Sequence, residues 1–213
     1  MKTIKLIPIF LLTSAFTLQS TTGEKKNAEK SDSYQVNAPE SVVNWRGEEL
    51  SGKTHVGTLK LQSGSITMNG DKLEGGEFVV DMNTIEDNDI ESPEWNHKLV
   101  NHLKSDDFFA VKQFPTASFK ITSAELVEAK TAVEGQKEYN ITGTMTIRGK
   151  DEEIKFPATI IQSGNFLSAV ASLQFDRSRH NVKFRSGSFF ENLGDKLIKD
   201  MIKIEVKIRA RKN

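Results

Sequence analysis

Residues 139–148 read YNITGTMTIR. Every second position in this stretch, from Tyr139 to Ile147, is apolar or small, and the alternate positions, from Asn140 to Arg148, are Asn, Thr or Arg. A period of two residues is typical of a β-strand that buries one face and leaves the other in water. The stretch therefore predicts a half-buried strand.

Similar alternating runs occur on both sides of this strand. Their apolar positions are Val43 and Trp45; Leu59 and Leu61; Ile66 and Met68; Phe78, Val80 and Met82; Ala117, Phe119 and Ile121; Ile154, Phe156, Ala158 and Ile160; Leu167, Ala169, Ala171, Leu173 and Phe175; Val182 and Phe184; and Ile202, Ile204, Val206 and Ile208. Ser63-Gly64 separates the second run from the third. Pro157 has no backbone N–H, so it predicts an edge or a bulge in its strand.

Two segments have the apolar spacing of a helix. Residues 93–105 follow Ser92, a suitable N-cap, and begin with Pro93 at the first helical position. Residues 190–197 form a shorter candidate. About eight or more one-sided strands with one or two short helices predict an all-β fold closed into an antiparallel barrel, because closure removes exposed edges. No domain boundary follows Tyr34, so we predict one domain over residues 34–211.

The N-terminus has the pattern of a secretory signal peptide. Lys2 and Lys5 precede an apolar run from Leu6 to Leu12, which is too short to span a bilayer. We predict a signal peptide over residues 1–22, a charged flexible linker over 23–33, and a periplasmic or secreted protein. Elsewhere in the sequence no apolar segment is long enough to predict stable membrane insertion. The oligomeric state is not fixed by the sequence, which leaves a homodimer open.

Composition excludes several classes of function. The chain has no cysteine, which excludes disulfides, thiol catalysis and thiolate metal sites. Lys plus Arg equals Asp plus Glu at 29 each, and removal of Lys2 and Lys5 leaves 27 against 29, a net charge of −2. This balance lacks the concentrated basic patch of nucleic-acid-binding proteins.

Motifs for catalysis, cofactors and metals are absent from the sequence. It contains neither a nucleophile elbow nor a phosphate-binding or dinucleotide-binding glycine motif. His97 and His102 are five residues apart, which places them about 140° apart on a helix, and His55 and His180 are isolated in sequence. We therefore predict no enzyme activity, no cofactor and no metal.

The size of the inward side chains leaves two interpretations of the barrel interior. An eight-stranded barrel is just wide enough for side chains to fill it or for one slender ligand to enter. The predicted inward positions mix large aromatic residues with small ones: Trp45, Phe78, Phe119, Phe156, Phe175 and Phe184 against Ala117, Gly143, Ala158, Ala169 and Ala171. The small residues predict either complementary packing or an open channel.

Two further features have alternative interpretations. Phe108 and Phe109 lie in an apolar corner that joins the predicted helix to a strand, and they predict either a fixed plug at the barrel end or a lid over a ligand. Arg177 suits the head group of an anionic ligand, but a surface turn with a local Asp–Arg pair is the favoured interpretation.

The chain resembles the YceI-like family. The resemblance rests on HLKSDDFF at 102–109, FPTASF at 114–119, SVVNW at 41–45, GGEFVVDM at 75–82, YNITGTMTIRG at 139–149 and FDRS at 175–178. It extends from about Tyr34 to Ala210. It implies an extended, lipocalin-like, eight-stranded antiparallel barrel whose interior holds a long polyisoprenoid, in proteins usually exported to the periplasm.

With this resemblance, we predict an exported binding protein that holds a long-chain isoprenoid or a similar apolar lipid for transport, storage or sequestration. The predicted ligand contacts are Trp45, Phe78, Val80, Met82, His102, Phe108, Phe109, Phe119, Phe156, Phe175, Arg177 and Phe184. One departure is residues 124–138, a longer and more charged connection than the family suggests. The alternative is a non-enzymatic interaction or structural barrel with a filled core, whose rim contacts a partner.

Overall fold

The structure, a computed structural model, describes residues 31–127 and 133–213. The predicted signal peptide and residues 23–30 of the predicted linker lie outside the described residues. The strands are β1 Asp32–Val36, β2 Val42–Glu48, β3 Thr54–Asn69, β4 Lys72–Asp87, β5 Thr116–Val127, β6 Gln136–Ile147, β7 Lys150–Ser163, β8 Phe166–Asp176 and β9 Met201–Lys212. The α-helix α1 is Pro93–Lys104, and 3-10 helices occupy Ala38–Glu40, Arg177–His180 and Gly194–Lys196.

The strands close into the predicted antiparallel barrel. From β2 to β9 each strand pairs with its sequence neighbours, and β9 pairs back with β2. The short strand β1 pairs with the far ends of β3 and β9, so β1 and β2 share one position in the sheet. The described residues thus form an eight-position barrel with one interrupted strand, which confirms the predicted fold class.

Strand β3 is a single strand where the sequence predicted two separate runs, one on each side of Ser63-Gly64. It is continuous over sixteen residues, and its pairing with β4 shifts register between Leu61 and Ser63. A bulge adds one residue to one strand, so it moves the inward face from odd to even positions. Leu59 and Leu61 before the shift and Ile66 after it are therefore all buried.

The prediction of a helix over residues 190–197 is wrong. Only Gly194–Lys196 form a 3-10 turn, and Asn192 and Gly194 have φ angles of 59° and 53°. Left-handed backbone interrupts an α-helix, which explains why the prediction failed.

Helix α1 begins at Pro93 as predicted, but the Ser92 side chain accepts no capping hydrogen bond from the described residues. No helix in the described ranges is long and apolar enough to cross a membrane.

Both ends of the predicted long connection at residues 124–138 belong to strands. Residues 124–127 extend β5 and residues 136–138 extend β6, with Ala124 opposite Ile141 and Val127 opposite Glu138. Residues 128–132 lie outside the described ranges. Of the described charged residues of this segment, Glu125, Lys137 and Glu138 therefore lie on paired strands, and Glu134 lies in a turn.

Strand β7 separates from β8 at Pro157. The β7–β8 pairing covers residues from Ala158 onward, so Pro157 lies where this ladder begins, as its missing N–H predicts. The 3-10 helix Arg177–His180 packs against the start of β7, where Arg179 and His180 both contact Glu152. There His180 is fully buried, and its Nδ1 lies 3.0 Å from the carbonyl oxygen of Lys150.

One end of the barrel is closed by large side chains. Tyr34, Ile66, Met68, Leu73, Tyr139 and Leu167 are each at most 3% exposed. The Tyr139 hydroxyl donates to the carbonyl oxygen of Asp71, which anchors this layer to the β3–β4 turn. Any ligand must therefore enter from the opposite end.

Candidate ligand-binding cavity

The barrel encloses a cavity of about 700 Å³. This volume lies within the usual range of small-molecule sites, about 300–1,000 Å³. All twelve residues predicted as ligand contacts line it: Trp45, Phe78, Val80, Met82, His102, Phe108, Phe109, Phe119, Phe156, Phe175, Arg177 and Phe184. The structure therefore brings the predicted set together, and contact with a ligand stays a prediction.

Glycines allow two of the aromatic rings to lie along the wall. Gly57 is paired with Trp45 across β2 and β3, and a Cβ at Gly57 would lie 2.6 Å from the Trp45 ring. A Cβ at Gly143 would lie 2.3 Å from Cζ of Phe119. Because these rings take the space of the missing side chains, they occupy less of the barrel centre.

Alanines widen the wall formed by β7 and β8. Ala158 is paired with Ala171, and both residues line the cavity together with Ala169. Ala169 and Ala171 alternate with outward positions and are still partly exposed, because they face the cavity. The interior is therefore not filled by side chains, which favours a channel over complementary packing.

The open end, called the mouth here, is formed by the ends of β2 and β4, the start of β3, and α1. Cavity-lining residues at this end include charged side chains: Glu48, Glu49, Lys53, Asp89 and Lys98. Deeper positions, such as Leu61, Ile121 and Ile160, are apolar and buried. The cavity thus combines an apolar interior with a polar entrance.

The Phe108-Phe109 corner packs at this mouth. Phe108 is 7% exposed, and its ring centroid lies 5.2 Å from Phe184 and 5.0 Å from His102. His102 Nε2 lies 2.9 Å from Asp107 Oδ2, and the latter side chain is mostly in solvent. Buried aromatic contacts of this kind support the plug interpretation for Phe108.

Arg148 fixes the corner, and sequence reasoning did not assign it a role. Its Nη1 donates to the carbonyl oxygens of Phe108, at 2.6 Å, and Asn181, at 2.8 Å. Arg148 and Gly149 have φ angles of 50° and 64°, as a two-residue hairpin turn of type I′ requires. The turn chemistry was visible in the sequence, but the long-range acceptors were not.

The structure contradicts the surface-turn interpretation of Arg177. The residue is 1% exposed, so it is not part of a surface turn. Its guanidinium donates to four backbone carbonyls: Nε to Lys199 at 3.3 Å, Nη1 to Val182 at 3.1 Å and Phe184 at 2.9 Å, and Nη2 to Ile198 at 3.0 Å. Nη2 also lies 3.2 Å from Asp200 Oδ1. Burial lowers the pKa of Arg177, and Asp200 opposes this shift.

Because these acceptors engage the N–H groups of Arg177, the guanidinium has little capacity left for an anionic head group. Arg177 lines the cavity but acts on the fold, since it joins the segment after β8 to the segment before β9. Its predicted head-group role is therefore not supported by the geometry.

We expect Gly143→Ala to destabilise the barrel by about 1–3 kcal/mol, the usual cost of overpacking. The new Cβ would lie 2.5 Å from the carbonyl oxygen of Lys120, and backbone cannot rotate away as a side chain can. Urea unfolding would measure the change. Gly75→Ala is the matched control on β4, since its Cβ would meet nothing within 4 Å, and an equal loss in both variants would contradict this account.

The protein is a closed eight-position antiparallel barrel with an apolar cavity that is open at one end. It therefore belongs to the class of barrels that can hold a small apolar molecule. The model of the YceI-like domain matches residues 34–210. The chain therefore belongs to the YceI-like family, as the sequence motifs predicted.

Curated relatives agree with this assignment. The chain is 30% identical to Protein YceI of Salmonella newport strain SL254 over 156 residues, which cover 70% of this chain and 72% of that protein. It is 29% identical to a UPF0312 protein of Pseudomonas putida strain W619 over 126 residues. The latter match spans 58% of each chain, less than two thirds of the relative's length.

Solved structures share the fold at low sequence identity. BcnA of Burkholderia cenocepacia superposes with a TM-score of 0.61 at 21% identity, covering 82% of this chain and 98% of that chain. A polyisoprenoid binding domain from Saccharophagus degradans, implicated in plant cell wall breakdown, has a TM-score of 0.60 at 12% identity and covers 84% and 98%. At these identities the likeness establishes the barrel fold.

Proposed function

We propose that this protein binds one long, apolar molecule of the polyisoprenoid type inside the barrel and does so without catalysing a reaction. The observation that carries this proposal is the cavity of about 700 Å³, closed by buried side chains at one end and open beside α1 at the other. An apolar space that is open at one end suits a slender apolar chain better than a compact, polar metabolite.

The physical basis of binding is burial of hydrocarbon. Each buried CH₂ group contributes about 0.8 kcal/mol, so a long chain gains affinity without hydrogen bonds. The charged residues at the mouth, among them Glu48, Lys53 and Lys98, suit a polar head group in contact with water. The polyisoprenoid binding of the Saccharophagus degradans domain supports the same class of ligand here.

We also propose that the protein is exported, with the ligand held for transport, storage or sequestration outside the cytoplasm. The support is the signal-peptide pattern of residues 1–22. An extracytoplasmic carrier would shield an isoprenoid from water during transfer between membranes.

Mass spectrometry of protein purified from its native cells tests both proposals. The denatured mass should correspond to a chain that lacks about the first 22 residues, as signal cleavage requires. The native mass should exceed it by the mass of one lipid, which solvent extraction should release. Lipid extracted in parallel from the same column fractions of cells without the protein is the control.

Each readout can fail separately. A full-length denatured mass in the cytoplasmic fraction would overturn export and leave binding to be judged on the lipid. A native mass equal to the denatured mass in repeated preparations, with no uptake of an added polyprenol, would overturn the binding proposal.

A further inference from the structure

Three side chains that could ligate a cation meet at the mouth of the cavity. His55 lies at the start of β3, Asp87 ends β4, and Asp89 follows two residues later. Pairing of Gly57 with Asp87 brings the two strand ends together. His55 Nδ1 lies 2.9 Å from Asp89 Oδ2 and 3.6 Å from Asp87 Oδ2, and all three ligand atoms lie within 4.8 Å of one another.

Both carboxylates are held in place by backbone N–H groups. Asp89 Oδ1 accepts from Val56 N at 2.7 Å, and Asp87 Oδ1 accepts from Ile90 N at 2.9 Å. The second oxygen of each carboxylate faces His55. Metal-binding carboxylates are commonly oriented in this way by hydrogen bonds to their other oxygen.

The Asp87 side chain supplies the observation that points to a ligand. It is fully buried, and its Oδ2 accepts no hydrogen bond from any described residue. A buried carboxylate oxygen without a donor carries a desolvation penalty that a hydrogen bond or a cation has to offset. Asp89 adds a second negative charge within 4.8 Å of Asp87. A divalent cation therefore offsets the desolvation penalty of this site better than a hydrogen bond does.

We propose that His55 Nδ1, Asp87 Oδ2 and Asp89 Oδ2 bind one divalent cation of the zinc class. One imidazole and two carboxylates suit zinc, whereas magnesium and calcium prefer oxygen ligands only. Tetrahedral bonds of about 2.1 Å separate ligand atoms by about 3.4 Å, so the present separations of 2.9 and 3.6 Å need only small adjustments. Zinc binds an imidazole nitrogen that carries no proton, so Nδ1 of His55 is the ligand atom and the two carboxylates balance the charge of the cation.

The position of this site relates it to the cavity. His55 and Asp89 both line the mouth, so the ion lies at the polar entrance and away from the apolar interior. Three protein ligands leave one tetrahedral position for water or for another oxygen ligand. The site stands independently of the proposed lipid binding, since none of its three residues belongs to the predicted lipid contacts.

Sequence reasoning predicted no metal because His55 has no second ligand at a recognised spacing. Asp87 and Asp89 follow His55 by more than thirty positions, separated by the β3–β4 hairpin. Only the pairing of the two strands brings them together.

Titration calorimetry with zinc chloride tests this proposal on the purified protein after chelator treatment. One zinc ion should bind per chain. Asp89→Asn and His55→Gln should each raise the dissociation constant for zinc at least about tenfold. Asp89→Asn keeps the oxygen that accepts from Val56, so the fold should be retained. His97→Gln is the matched control, because His97 is exposed on α1 and lies outside the cluster.

A zinc-edge anomalous difference map of the wild-type protein gives a second measurement that needs no variant. Its peak should lie among His55, Asp87 and Asp89. Absence of zinc binding to the wild-type protein, wild-type affinity in both site variants, or loss of binding in His97→Gln would overturn the proposal. A peak at any other position would overturn it as well.

Discussion

Ala171→Phe should abolish polyprenol binding while the barrel stays folded. Ala171 lies in the middle of β8, opposite Ala158 on β7 and Val206 on β9, and it faces the cavity. A phenylalanine ring at this position would occupy the space that we assign to the ligand chain. We expect at least about a 100-fold loss of affinity, equivalent to about 2.7 kcal/mol, measured by fluorescence titration with a labelled polyprenol.

Stability separates this outcome from a filled barrel. If the cavity accepts the ring, the free energy of unfolding in urea should change by less than about 1 kcal/mol, because overpacking normally costs about 1–3 kcal/mol. Ser172→Phe is the matched control, since Ser172 is the next residue on β8 and is exposed. Unchanged binding by Ala171→Phe together with a large loss of stability would contradict the channel.

The fold was predictable because barrel strands carry their own local signal. Alternation from Tyr139 to Ile147 and from Ile202 to Ile208 marks inward faces regardless of which strands pair. The same alternation placed Phe78, Phe119 and Phe156 on the cavity wall. Size and chemistry of an inward side chain can thus be inferred from the sequence, whereas the empty volume between walls cannot.

The features that sequence analysis missed all depend on contacts between distant segments. The bulge in β3 follows from pairing with β4. Two of the carbonyl acceptors of Arg177, in Ile198 and Lys199, lie more than twenty positions later in the chain, and His55 meets Asp87 only through strand pairing. Periodicity carries no information about such contacts.

Arg177→Met should destabilise the fold more than any other substitution considered. It removes the hydrogen bonds to the carbonyl oxygens of Val182, Phe184, Ile198 and Lys199, and it leaves the partly buried Asp200 without its cation. Removal of one partner from a buried ion pair costs about 3–5 kcal/mol. Urea unfolding should show a loss in this range.

Arg179→Met provides the comparison on the same 3-10 helix. The Arg179 side chain is 67% exposed and pairs with Glu152 at 3.2 Å, so its loss should cost at most about 1 kcal/mol. Arg177→Lys keeps the charge but lacks the planar fork that reaches several carbonyls, so its stability should lie between wild type and Arg177→Met. If Arg177 instead recognised a ligand head group, Arg177→Lys would retain stability and lose affinity, and the structural role assigned to it here would be wrong.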